Sequence, residues 1–322
     1  MKVAVLFGGM STEHSVSVVS GTSVLQKLKK DKYEIIPIYL SQEGEWYYYT
    51  KPIDEITVLP IGEEIKEKEK MENPFAVLKK VDVIFPVLHG LFGEDGTVQG
   101  MLEMLQKPYV GCKIFASNVC MDKAYAKVIF EKANIPQAPY VYLRKRSGKY
   151  VFVAEDFNEE KVNNQQIQEK VAEKLGYPVF IKPANSGSSV GIKKAHNSQE
   201  LMQCIDYAAQ YDTKILIEQN IEGREVECAV LGNGDAKASC VGEILPAEEF
   251  YTFDAKYKNA ESQVRIPADL PEETIREIQA YAVKAFQAVD GNGLSRVDFF
   301  VEKKTGKVFL NEINTMPGFT RN

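Results

Sequence analysis

The sequence predicts an α/β protein: an N-terminal open, doubly wound sheet followed by two α+β units. Three observations point there. In the first third, apolar strand-like runs alternate with helix-like stretches, the pattern of βαβ units. Within it, "VDVIFPVL" at 81–88 is a continuous apolar run, as expected of a parallel strand covered on both faces. From residue 215 onward, closely spaced strands dominate, broken by one long amphipathic helix. A chain of 322 residues has room for two or three domains, expected at 1–111, 112–214 and 215–322.

The elements follow in order. "KVAVLF" (2–7) is the first strand; the helix after it, 11–30, has Ser11 or Thr12 as N-cap candidates. "EIIPIYL" (34–40) is the second strand and 81–88 the third. The charge-dense stretch "GEEIKEKEKME" (62–72) reads as a solvated helix or loop. "TVQGMLEMLQ" (97–106) is helical and "PYVG" (108–111) extended. Apolar residues at helical spacing fill 117–134, and Asn134 before Ile-Pro ends that helix. After a polar stretch, "YPVFIKPANSGSSVGIKKA" (177–195) is two short strands joined by a Gly/Ser-rich loop, and 198–211 is a helix. The final third holds strands "KILIEQ", "EVECAVLG", "SCVGEIL", "SRVDFFVE" and "KVFLNEIN". Its long helix begins at Pro271 and carries Ile275, Ile278, Ala282, Ala285, Phe286 and Val289 on one face.

Chemistry concentrates in a few places. In "KVFLNEINTMPGFT" (307–320), Glu312 and Asn314 are two apart on a strand and so share a face beside an apolar core. A bare carboxylate there needs a compensating charge. Asp298 in "SRVDFF" is a candidate companion, and two carboxylates plus an amide oxygen suit Mg²⁺; the alternative is a strand-end cluster salt-bridged to Arg296. In "FIKPANSGSSVGI", Lys182 precedes a donor-rich loop with Ser188 and Ser189 that would cradle phosphate oxygens or form a hairpin turn. The loop lacks the P-loop spacing and leads into a strand. Lys123 in "CMDKAYAK" lies in the first turn of a helix, against the helix dipole, where a phosphate or plain solvent would explain it. Glu218 and Glu225 in "ILIEQNIEGREVE" offer a nucleotide-bordering wall or an ordinary strand–turn–strand. "EEFYTFDAKYKN" (248–259), with Lys256 and Tyr257, is an aromatic loop that reads as a lid or a satellite core. Glu13, in "LFGGMSTEHSVS", and His89 stand at the carboxyl ends of the first and third strands, where open sheets bind ligands.

Composition narrows the function. A net charge of −6 gives no basic footprint for nucleic acid. No apolar run approaches the ~20 residues of a membrane span. Five scattered cysteines without CxxC spacing fit the cytoplasm rather than a disulfide or zinc framework. A hydride-transferring oxidoreductase lacks its glycine fingerprint here, and a silent nucleotide-binding module is the remaining rival.

Taken in order, "LFGGMSTEHSVS", "LHGLFGEDGTVQG", "PYVGC", "MDK", "IKPANSGSSVG", "FYTFDAKY", "RVDFF" and "NEINTMPGFT" resemble the D-alanine–D-alanine ligase family of the ATP-grasp superfamily over nearly the whole chain. The resemblance implies a pre-ATP-grasp domain and two ATP-grasp subdomains that grip ATP. It implies ligation of two D-alanines through an acyl phosphate, for peptidoglycan precursor synthesis, in a cytoplasmic homodimer. Lys123 and Lys182 would meet the ATP phosphates, with Ser188 and Ser189 closing over them and Lys256 reaching the γ-phosphate. Glu218 and Glu225 would border adenine and ribose. Asp298, Glu312 and Asn314 would hold two Mg²⁺ ions, with Mn²⁺ as a substitute and K⁺ as an activator. Glu13 would bind the first D-alanine's ammonium and, with Ser188 and Tyr257, tie the lid to the first domain. Arg296 and the Gly318 N–H would form the oxyanion site, and His89 would lie near the first substrate. The family pattern continues past Asn322, the last residue here, with a serine for the second substrate's carboxylate and a helical stretch. The third domain is therefore expected to be short at that end, with D-Ala–D-Ser ligation or silent ATP binding as the alternatives.

Overall fold

The computed structural model describes residues 1–187, 189–245 and 263–319. Three sheets account for its strands. The first contains β1 (Lys2–Gly8), β2 (Glu34–Leu40), β3 (Trp46–Tyr49), β4 (Lys68–Lys70) and β5 (Val83–Val87), in spatial order β4-β3-β2-β1-β5. β1 is paired in parallel on both sides, with β2 and β5. Its alternate residues feed two cores. Val3, Val5 and Phe7 pack with Val18 and Leu25 of helix α1 (His14–Lys27), whereas Ala4 and Leu6 pack with Leu78 of α2 (Pro74–Leu78) and Leu102 of α3 (Thr97–Met104). Both faces of the strand are apolar because both are covered, which is the doubly wound arrangement.

Two local expectations change. Helix α1 starts at His14, not at Ser11 or Thr12, and its N-cap Glu13 makes no side-chain cap bond. Ser11 is occupied elsewhere: its hydroxyl donates to His89 O at 2.6 Å and accepts from Glu13 N. Residues 62–72 are neither a helix nor simple loop; they include the exposed edge strand β4, which pairs with β3. A strand solvated on both faces has no apolar alternation to betray it.

The second sheet is β10-β9-β11-β6-β7-β8, built from β6 (Tyr140–Arg146), β7 (Lys149–Val153), β8 (Glu159–Lys161), β9 (Val179–Pro183), β10 (Lys193–Ala195) and β11 (Lys214–Gln219). Helices α6 (Asn164–Lys174) and α7 (Ser198–Ala208) cover it. The strand-rich texture expected to open a new domain at 215 begins inside β11, yet β11 pairs with β6 and β9 within this sheet. A change in the density of strands does not mark a change of sheet. The helix expected across 117–134 is two: α4 (Ile114–Met121) and α5 (Lys123–Lys132). Asp122 separates them in an extended conformation, and its carboxylate accepts from Ala124 N and Tyr125 N as the N-cap of α5.

The third sheet, β14-β13-β12-β15-β16, comprises β12 (Gly223–Gly232), β13 (Lys237–Leu245), β14 (Gln263–Arg265), β15 (Gly293–Glu302) and β16 (Val308–Asn314). Helix α8 (Glu272–Ala288) lays Ile278, Ala282, Ala285 and Phe286 on it, and Ala116 and Phe130 from α4 and α5 join the same core. No helix among the described residues is long and apolar enough to cross a membrane.

At the carboxyl end of β1, Gly8 has φ +95, and a Cβ there would stand 2.2 Å from Leu40 O, so the chain can turn toward Glu13 only without a side chain. Deeper in, α1 lies so close to β1 that a Cβ at Gly21 would meet Phe7 Cβ at 2.3 Å. Alanine would gain about 1 kcal/mol of helix propensity. The clash outweighs it, because Phe7 Cβ is anchored to the strand backbone and cannot swing away. Gly21→Ala is therefore expected to destabilise the protein by about 1–3 kcal/mol, read as a lower Tm in calorimetry; an unchanged Tm would contradict this packing.

Candidate active site

The three sheets meet at a cleft of about 540 Å³. Glu13, His89, Lys123, Lys182, Ser189, Glu218, Glu225, Arg296, Asp298, Glu312, Asn314 and Gly318 all line it, although they are spread over 300 positions of sequence. Ser188, Lys256 and Tyr257 lie outside the described residues.

Strand register sets the acidic side. Across β15 and β16, Asp298 pairs with Glu312 and Arg296 with Asn314. Residues two apart on each strand share a face, so all four side chains project together. Arg296 forms a fork on Asp298, Nε to Oδ1 and Nη2 to Oδ2, each 2.7 Å, and its Nε is 2.8 Å from Glu227 on β12. Burial opposes this guanidinium charge, but Asp298, Glu227 and Glu312 outweigh it and raise its pKa well above the usual value. Asn314 Nδ2 donates to Asp298 Oδ2 at 2.9 Å, which leaves the amide oxygen of Asn314 as its metal-binding end. Asp298 Oδ1 accepts the Arg296 Nε–H and has capacity for a further donor or a cation. Two carboxylates and an amide oxygen on one sheet face, with Asp298 itself ion-paired to Arg296, fit a hard divalent cation. Among the described residues no group of three His, Cys, Asp or Glu side chains is gathered as a metal would gather them.

Lysines face this surface. Lys123 Nζ is 3.7 Å from Glu312 Oε2 and donates to Ser186 O at 2.5 Å, at the start of the Gly/Ser loop. Lys182 pairs with Glu218 and reaches Asn311 Oδ1 at 3.5 Å. The other oxygen of Glu218 is 2.6 Å from Lys127 Nζ. Burial pushes the Glu218 carboxyl up, but Lys127 and Lys182 together more than offset it and hold it at about 2. Lys182 also stays above the usual lysine value despite burial, through Glu218, Glu312 and Glu225. Lys127 differs: burial outweighs the single carboxylate it faces, and its pKa falls. The two lysines diverge because Glu218 is shared between them while Lys182 has further acidic neighbours.

The N-terminal domain grips the segment that follows β16. His89 Nδ1 lies 3.1 Å from Met316 O and Nε2 2.9 Å from Ser20 Oγ, and Ser20 Oγ accepts from Phe319 N at 3.1 Å. Only one assignment satisfies every partner: Nδ1–H donates to the carbonyl and Nε2 accepts the serine proton. Glu94 accepts from Gly90 N at 2.7 Å and Met316 N at 3.3 Å. Burial, then the nearby Glu13, pushes the Glu94 carboxyl up to about 8. Phe319 stacks edge-on against Phe85, with ring centroids 5.6 Å apart. Glu13, buried beside Ser11, lies so near the Gly/Ser loop that a Cβ at Gly187 would stand 2.1 Å from its Oε1.

Sequence reasoning passed over Ser20, Glu94 and Lys127. Glu94 had a usable signal, since it lies a short loop beyond the third strand, at the sheet edge that carries His89. Lys127 also had one, four residues after Lys123 and so on the same helix face. Ser20 had none; it is one polar residue within an amphipathic helix.

An open α/β sheet joined to two further sheets, closing on a cleft of lysines and carboxylates, defines an ATP-grasp ligase. The comparisons with known proteins agree. Family models described as D-ala D-ala ligase N-terminus and D-ala D-ala ligase C-terminus match residues 2–112 and 129–322. A D-alanine–D-alanine ligase of Acetivibrio thermocellus is 50% identical, over 99% of this chain and 88% of that protein. One from Clostridium acetobutylicum is 48% identical, over 99% and 90%. Among solved structures, the D-Ala:D-Ser ligase VanG of Enterococcus faecalis superposes with a TM-score of 0.81 at 36% identity, over 99% of this chain and 91% of that one. The D-alanine–D-alanine ligase of Coxiella burnetii gives 0.79 at 32%, over 100% and 86%. The chain belongs to the D-alanine–D-alanine ligase family, and it is an ATP-dependent ligase.

Burial, followed by the Arg296 charge, holds the His89 pKa down to about 4, against the opposing pull of the Met316 carbonyl. The unfolded chain therefore binds a proton at His89, near pH 6.5, that the folded chain refuses until about pH 4. This contribution to stability is complete above pH 6.5 and is lost as pH falls toward 4, by about 1.4 kcal/mol per pH unit. Replacing His89 with Gln should flatten the acid side of a stability–pH curve, followed by urea unfolding between these limits; an unchanged slope would contradict a neutral, doubly bonded His89.

Proposed function

We propose that the cleft joins two D-alanines at the expense of ATP, giving D-alanyl-D-alanine, ADP and phosphate for peptidoglycan precursors. The observation that carries this reading is the convergence of Lys123 and Lys182 with Asp298, Glu312, Asn314 and Arg296 in one cleft. Segment 1–111 would hold the first D-alanine, and segments 112–214 and 215–322 would grip the nucleotide between the second and third sheets.

In this reading Lys123 and Lys182 bind the triphosphate, Ser188 and Ser189 close over it, and Glu218 and Glu225 border the adenine and ribose. Glu13 takes the ammonium of the first D-alanine beside His89 and, through Ser188 and Tyr257, ties the lid that carries Lys256. A carboxylate oxygen of that D-alanine attacks the γ-phosphorus and ADP leaves, forming an acyl phosphate. The amine of the second D-alanine attacks its carbonyl, and phosphate departs. Arg296 and the Gly318 N–H stabilise the tetrahedral oxyanion in a site that excludes water. Asp298, Glu312 and Asn314 would hold two Mg²⁺ ions, or Mn²⁺, whose positive charge neutralises the phosphates. A homodimer in the cytoplasm and activation by K⁺ complete the proposal.

D-serine as second substrate is not favoured, because the relatives at 50% and 48% identity are named D-alanine–D-alanine ligases while the D-Ala:D-Ser ligase stands at 36%. The test is phosphate release from ATP and Mg²⁺, with D-alanine, D-serine or D-lactate supplied in turn. Release that requires D-alanine and yields the dipeptide is expected; ATP binding without turnover would overturn the ligase reading. In the same assay Glu312→Gln should lower kcat at least about 100-fold, and near-normal kcat at saturating Mg²⁺ would remove Glu312 from the metal site.

A further inference from the structure

We infer that Lys127 is a positioning residue for nucleotide binding, the standing counter-ion of Glu218 that frees Lys182 to engage a triphosphate. The inference rests on the nucleotide reading of the cleft given above. Lys127 and Lys182 hold the two oxygens of one carboxylate, yet they are differently placed. Lys127 and Glu218 have side chains only 3% and 5% exposed and stand 2.6 Å apart. Lys182 is 14% exposed and lines the cleft, where Lys127 does not. Among the described residues Lys127 Nζ meets no polar partner besides the Glu218 carboxylate, and it lies 5.1 Å above the Tyr140 ring. Glu218 is the one acidic partner in an ion pair with it among the described residues.

Glu218 is thus shared between two ammonium groups, whereas Lys182 also feels Glu312 and Glu225 on the cleft side, where a phosphate would enter. When a phosphate draws Lys182 away, Glu218 and Lys127 remain as a neutral, buried pair. Without Lys127, the same movement would strand an unpaired buried carboxylate, among the costliest arrangements in a protein interior. Lys182 would then stay on Glu218 and the nucleotide would lose its ligand. The charge balance around Glu218 is consistent with this: Lys127, together with Lys182, holds the carboxyl below its usual value against burial.

The experiment measures ATP binding by calorimetry with Mg²⁺ and no D-alanine, alongside steady-state kinetics, on the full chain. Lys127→Met should raise Kd and KM for ATP about tenfold or more, with kcat at saturating ATP within about twofold of wild type. Lys127→Arg, which keeps the charge, should recover binding to within about threefold. In a Glu218→Gln background, Lys127→Met should change Kd by no more than about twofold, since a neutral amide needs no counter-ion. Wild-type affinity in Lys127→Met, or an equal penalty with and without Glu218→Gln, would overturn the inference. Should Lys127→Met fail to fold, Lys127→Arg and the Lys127→Met/Glu218→Gln double variant, neither of which strands a charge, still decide it: ATP binding about tenfold weaker in the first than in wild type, or in the second than in Glu218→Gln, would overturn the inference. Wild-type protein that binds ATP but makes no dipeptide would sink the ligase reading alone, because the calorimetry does not depend on turnover.

Discussion

Buried charge in this protein is neutralised within sheets and through helix α5, and the site depends on that constraint. Asp298 sits on the third sheet with its carboxylate almost fully buried and is held by the Arg296 fork. Glu218, on the second sheet, is held between Lys127 and Lys182. Glu312 of the third sheet faces Lys123, which comes from α5 and also holds the loop after β9. A buried ion stripped of its partner costs far more than a surface ion pair contributes. Helix α5 therefore cannot move away from the second sheet without stranding the Lys127–Glu218 pair. The cleft is held in shape by the same groups that make it attractive to a polyanion.

A second set of contacts fixes the end of β16 to the N-terminal domain. Ser20, His89 and Glu94 bind the backbone at Met316 and Phe319, and Phe319 enters the apolar core beside Phe85. Gly318 thus lies in a segment held on both sides by hydrogen bonds from a different domain. The neutral imidazole of His89 serves both of its contacts, giving one proton to a carbonyl and accepting one from a hydroxyl.

The relatives place this arrangement in a family whose solved members keep the same overall fold at 36% and 32% identity. The structural neighbour that is a D-Ala:D-Ser ligase shows that one scaffold accommodates two second substrates.

Much was legible in the sequence, and for a local reason. Strand periodicity alone placed Glu312 with Asn314 on one face, because side chains two apart on a strand point the same way whatever lies beyond. Apolar runs and helix spacing located the principal strands and helices, and the Lys182 loop was visible as donor-rich chain between two short strands. The exposed edge strand 68–70 was not visible, because it has no buried face, and neither was the sheet to which β11 belongs. Tertiary structure decided the partnerships of Lys127 with Glu218, His89 with Met316 and Ser20, and Glu94 with Met316, whereas the Arg296 salt bridge to Asp298 was among the readings the sequence offered. Those pairings depend on which strands lie side by side and how far one domain rests on another. They are set by packing over separations of up to 227 positions, beyond the reach of any local pattern.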